Sequence, residues 1–152
     1  RKALTSLMYQ IERFPGGQIR HFLNSMSYFN KSGSTHPETL ILLVGTNNMS
    51  HAASNSHFEF LKLVDLVKSN FPKTKICITP VTISDRLRNN SPLEAKNMSD
   101  FNFLLRTKTP GVCVIRQYPN IIFTQIDSIH WTANTANNIV EHWVSELGQN
   151  LN

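Results

Sequence analysis

Thr39 to Gly45 restricts the fold more than any other part of this chain. Five apolar side chains follow one another from Leu40 to Val44 with no polar interruption. A strand with one face in water alternates apolar and polar residues, and one without alternation is covered on both faces. Both faces are covered when helices flank a parallel sheet, so the run predicts an α/β architecture. It is also far too short to cross a bilayer.

The rest of the chain fits that expectation. Ile76 to Val81 reads as a second buried strand, stopped around Pro80, with further strand candidates at Val112–Ile115 and Ile121–Phe123. Helical spacing occurs in residues 2–13 through Leu4, Leu7, Met8 and Ile11, and then through Ile19, Phe22, Leu23, Met26 and Phe29. Pro15-Gly16-Gly17 separates these two helices. Phe58–Phe71 repeats the pattern at Phe58, Leu61, Val64, Val67 and Phe71, and 97–107 at Phe101, Leu104 and Leu105. Thr132–Leu147 closes the chain, with Ile139, Val140, Trp143 and Leu147 facing inward. Thr46–Ser56 and Thr82–Asn97 read as polar loops. Alternating strands and helices predict a three-layer α/β/α sandwich with a central parallel sheet. In such a sheet, sites gather at the carboxyl ends of the strands. The loops after Val44, Val81 and Phe123 should converge there.

Composition narrows the function classes. With 152 residues, 40% hydrophobic and 16% charged, the chain is one globular domain with a single core. Cys77 and Cys113 sit in apolar strand-like runs and read as buried reduced thiols rather than metal ligands or a disulfide. That suits a reducing compartment and a cytoplasmic location. The net charge of +5 is dispersed along the sequence. It helps an encounter with RNA or an anionic membrane surface without establishing either, and a solvated surface is the better reading. No P-loop, dinucleotide-binding glycine motif or metal-ligand spacing occurs, so neither a cofactor nor a metal is expected. The first residue is Arg1 rather than Met, which suggests a chain that begins inside a longer polypeptide.

Three short features carry chemistry. Gly45-Thr46-Asn47-Asn48 follows the strongest strand, where Asn47 could turn an amide N–H into a cleft or simply form an Asx turn. Asp127-Ser128-Ile129-His130 precedes the last helix. A carboxylate three residues before a His can hold its Nδ1–H and leave the other nitrogen as a base. Alone, the pair reads as a loop Asp and a surface His near a helix start. Gly16, with Gly17 as a close second, could offer a backbone N–H to an oxyanion, or could merely punctuate two helices. His51 and His57 read as surface residues, His142 as a partly buried structural residue, and Arg86 and Arg88 as loop charge within reach of a substrate or an RNA backbone.

In this order the three features resemble the SGNH (GDSL-type) hydrolases, in which a Ser near the N-terminus precedes a Gly, then G-x-N, then D-x-x-H before the last helix. The resemblance spans residues 1 to 147. It matches Gly16, Gly45-Thr46-Asn47 and Asp127 to His130. Within the family, the wording is similar to the esterase domains of LINE-type retrotransposon proteins. There a Gly-Asp-Ser-x-x-Arg segment leads to a Pro-Gly turn and then to Val-Gly-Thr-Asn. The resemblance implies hydrolysis of a small-molecule or lipid ester. His130 would be the base, Asp127 its orienter, and Asn47 and Gly16 oxyanion donors, with a Ser two or three positions before Arg1. Neither Ser6 nor Ser128 has a nucleophile's setting. Asn48 stands where the family usually has Asp, and Trp131 where Pro is common. The family's first strand and its Ser elbow would have to come from a preceding segment or from another chain. The domain, residues 1–152, then counts as N-terminally incomplete. An inactive domain of this fold that binds RNA or a protein is the alternative.

Overall fold

The computed structural model describes residues 17–23 and 37–150. The helix expected over residues 2–13, Gly16, Ser6 and most of the second helix lie outside this range; 19–23 are helical. Strand β1 spans Thr39–Leu42, β2 Lys75–Ile78 and β3 Cys113–Val114. All pair in parallel in the order β1-β2-β3. Leu42 lies opposite Ile78, and Cys77 opposite Cys113. Helix α1 covers Ala53–Asn70, α2 Asp85–Asn90, α3 Pro92–Thr107 and α4 Ala133–Asn150.

Ile76 and Ile78 point to one side of the sheet and belong to the main core, with Phe60, Leu63, Val64 and Val67 of α1 and Met98, Phe101 and Leu105 of α3. Phe60 and Phe101 meet edge-on, 6.1 Å between centroids, a favoured aromatic geometry. Each such fully buried side chain contributes about 1.5–3 kcal/mol. Cys77 alternates with these isoleucines, so it faces the other side. It is fully buried there, as is Ile139 of α4. The expected layered α/β architecture with a parallel sheet is therefore present. The cysteines are free thiols, Cys77 buried and Cys113 partly so. Burial raises the Cys77 thiol to about 11, since an apolar site disfavours the thiolate.

The structure differs from expectation in several places. β1 is shorter than the apolar run and mostly half-buried, with Leu43 exposed. Among the described residues it pairs on one side only. α1 starts five residues before Phe58, whose ring is exposed with Lys62 Nζ 4.4 Å from its centroid. Val64 and Val67 face inward as expected, and the stripe is completed by Phe60 and Leu63 rather than by Phe58 and Leu61. Thr82–Asn97 is not a loop: it holds α2 and the first turn of α3. Ser84 caps α2 by accepting Leu87 N–H at 3.0 Å, and Pro92 opens α3 with its preset φ. Ile121–Phe123 forms no strand, and Ile121 and Phe123 are exposed. Among the described residues, no helix is long and apolar enough to cross a membrane.

Candidate active site

The site is built from three connections that leave the carboxyl ends of the strands. After β1 the backbone turns at Gly45, with φ 118°. L-residues rarely adopt that angle, and a Cβ there would also lie 2.6 Å from the Phe101 ring. The tight turn feeds a short 3-10 helix, Thr46–Asn48. Asn48 points inward and is buried; its Oδ1 accepts Ile19 N–H at 3.0 Å. Asn47 points outward, and its Nδ2 donates to the Gly17 carbonyl at 3.1 Å. The two asparagines thus tie the start of the 19–23 helical segment to the end of β1. Gly16 lies outside the described residues; its neighbour Gly17 meets Asn47.

After β2 the chain passes Gly45, where Val81 is a close neighbour. Val81 is held from α3: its N–H donates to Asn102 Oδ1 at 2.7 Å, and its carbonyl accepts Asn102 Nδ2–H at 2.8 Å. Three residues on, Ser84 donates its hydroxyl proton to the Ser128 carbonyl at 2.9 Å. Trp131 Nε1 donates to Thr82 Oγ1 at 2.8 Å. The 81–84 segment therefore adjoins both the Asn47 turn and the Asp127–His130 loop.

That loop is a small hairpin, closed by an antiparallel bridge between Thr124 and Trp131. Gln125 N–H donates to the His130 carbonyl at 2.8 Å, and Ser128 N–H to the Gln125 carbonyl at 3.1 Å. The turn forces Ser128 to φ 66°, the one non-glycine residue at positive φ among those described. At its tip Asp127 Oδ1 accepts the N–H groups of Ile129 and His130, both at 2.9 Å. The other oxygen, Oδ2, takes a short hydrogen bond from His130 Nδ1. The imidazole hydrogen bond, then the Ile129 and His130 backbone N–H groups, hold the Asp127 carboxyl down to about 2. An ionised Asp127 keeps the imidazole proton on Nδ1 and leaves Nε2 with a free lone pair. Nε2 has no partner among the described residues, and the His130 side chain is 75% exposed. A polar cleft of about 230 Å³ between Thr82–Arg88 and Gln117–Ile122 lies beside the loop, yet neither Asp127 nor His130 lines it.

Other candidates resolve into structural roles. His57 is not a surface residue: it is buried, with its Nε2 3.0 Å from Thr109 Oγ1. Burial lowers its pKa, against a hydrogen bond to the Lys108 backbone that raises it. His142 is half-buried as expected, donating to the Arg116 carbonyl at 2.6 Å. Arg88 pairs with Asp85, and Arg86 reaches the Gln125 carbonyl at 3.3 Å. No group of three or more His, Cys, Asp or Glu able to hold a metal occurs among the described residues. Sequence reasoning missed Asn48, Ser84 and Asn102. Only Ser84 carried a signal, a Ser followed by Asp at the start of a helix.

No family model matches the chain, and no curated protein matches it. Solved structures do. A carbohydrate esterase family 3 structure from Talaromyces cellulolyticus superposes with a TM-score of 0.69 at 12% identity, covering 88% of this chain and 68% of the other. A member of the lipolytic protein G-D-S-L family from Veillonella parvula gives 0.69 at 13% identity, with 86% and 74% covered. A serine-to-alanine mutant of an acetyl esterase with an acetate ion gives 0.67 at 13% identity, with 88% and 68% covered. With its parallel sheet, its flanking helices and these neighbours, the chain has the α/β fold of the SGNH (GDSL-type) esterases.

Proposed function

We propose that this domain is a serine-type ester hydrolase in which His130 is the base, Asp127 its orienter, and Asn47 and Gly16 the oxyanion donors. The observation that carries the reading is the Asp127–His130 pair, one ring nitrogen held by an ionised carboxylate and the other without a partner among the described residues. The nucleophile belongs to the reading as a serine preceding Arg1, as the family resemblance implies. His130 Nε2 takes the serine proton as the hydroxyl oxygen attacks the ester carbonyl carbon. The carbonyl oxygen becomes negative. Asn47 Nδ2 carries two hydrogens, one engaged by Gly17, leaving the second for that oxygen. A donor of this kind is worth about 2.7–4 kcal/mol in the barrier. The tetrahedral intermediate collapses, and the alcohol leaves with the proton from His130. Water then hydrolyses the acyl-enzyme by the same path, releasing the acid.

The esterase names of the structural neighbours support this class of substrate, with short acyl esters as the first to assay. The similarity to LINE-type retrotransposon esterase domains belongs to the proposal, as does a cytoplasmic location, which suits two free cysteines. In a polypeptide that also carries the residues before Arg1, His130→Ala should lower turnover of p-nitrophenyl acetate about a thousandfold with an unchanged circular dichroism spectrum. Undiminished turnover would exclude His130 as the base. The net charge of +5 favours a second reading, an inactive RNA-binding domain. Salt-dependent RNA binding without ester turnover would select it.

A further inference from the structure

Building on the roles just proposed for Asp127 and His130, we infer that Ser84 is a positioning residue, whose hydroxyl fixes the peptide group that holds the Asp127 carboxylate against His130. The peptide bond between Ser128 and Ile129 is planar and trans, so its C=O and N–H point in opposite directions. The C=O accepts the Ser84 hydroxyl at 2.9 Å, and the N–H donates to Asp127 Oδ1 at 2.9 Å. Aiming one end of the group aims the other. Asp127 is thereby turned so that its second oxygen meets His130 Nδ1.

The loop would not hold this peptide in place by itself. Ser128 sits at φ 66°, a region that a residue with a Cβ disfavours. Its side chain is nonetheless buried, close to Asn90 Nδ2 at 3.5 Å. Ser84 is also buried and is doubly used: its oxygen accepts Leu87 N–H while its proton goes to Ser128. Arg86 on the Gln125 carbonyl and Thr82 on Trp131 brace the same loop from the same segment. The hydroxyl proton of Ser84 is the contact that reaches the reactive pair through a single peptide group.

Three variants separate this role from helix capping. In Ser84→Asp the acceptor for Leu87 N–H survives and the donor to Ser128 is lost. The Ile129 and His130 amides should then exchange with deuterium about tenfold faster, with Leu87 unchanged, an effect of the size expected for one hydrogen bond. Ser84→Thr keeps both functions and should restore slow exchange. Ser84→Ala, the mildest change in volume, should release Leu87, Ile129 and His130 together. In the Ala and Asp variants the Asp127 carboxyl titration, followed by carbon NMR, should also move up from about 2 toward its ordinary 3.8. Unchanged Ile129 and His130 exchange in both Asp and Ala variants would overturn the role, as would equal loosening in Thr and Asp. None of these readouts needs turnover. A failed ester assay therefore leaves the Ser84 role standing, and a failed exchange experiment leaves the esterase reading standing.

Discussion

The Asn47 turn and the Asp127–His130 loop supply the two halves of one candidate site, yet they are held by different forces. Gly45 lies in the core, against the Phe101 ring and Val81, and Asn48 beside it is buried. At the other half, Asp127 and His130 are exposed, and Ile126 next to them is 92% exposed. That loop is shaped by hydrogen bonds: Ser84 to Ser128, Trp131 to Thr82, and the backbone bonds of its own hairpin. A packed turn costs a great deal to alter and holds its side chains fixed. A hydrogen-bonded loop costs less to alter and leaves the imidazole open to solvent. Such a division suits the proposed roles, with oxyanion donors that must not move and an imidazole that must exchange protons.

The packed turn is most sensitive at Gly45. Gly45→Ala combines a positive φ with a Cβ contact at 2.6 Å, so it should destabilise the domain by about 3 kcal/mol. Urea unfolding measures this, and a loss below about 1 kcal/mol would mean that the turn is not packed as described. Asn102→Leu tests the same half from α3. It keeps the volume but strands the buried N–H and C=O of Val81. The expected loss is about 2 kcal/mol, less than at Gly45, because some of the strain can relax through water.

The same contrast explains what the sequence disclosed. Leu40 to Val44 signalled a strand because apolar runs without alternation have few other uses, although β1 is mostly half-buried, and Val64 and Val67 lie on a helix at the expected period. Gly45-Thr46-Asn47 and Asp127 to His130 were legible through their order and their places after strands. Ser84, Asn102 and the left-handed Ser128 were not, because each acts through a partner tens of residues away: 44 between Ser84 and Ser128, and 21 between Asn102 and Val81. Local spacing records nothing of such pairings. His57 misled for the same reason, since its partner Thr109 lies 52 residues later. The polar Thr82–Asn97 stretch concealed two helix starts because Ser, Asp and Pro serve caps and turns alike.

The smallest effect is expected at Asp127, on the exposed half of the site. The folded Asp127 titrates at about 2 against an ordinary 3.8. Its ionised form is therefore favoured by folding. The stabilisation is fully present above the unfolded value and disappears as pH falls through the folded one. The stability difference between the wild type and Asp127→Asn should accordingly be constant above about pH 5 and shrink toward zero near pH 2. That difference should fall in part as salt is raised, because the wild-type pair is exposed. Chemical denaturation across pH 2 to 7 measures it. Asparagine can still accept the Ile129 and His130 N–H groups through its Oδ1, so the hairpin should persist. Its Nδ2–H, however, would face His130 Nδ1 as a donor and drive the imidazole proton to Nε2. The variant would then keep the loop and lose the base, which separates the shape of this half of the site from its chemistry.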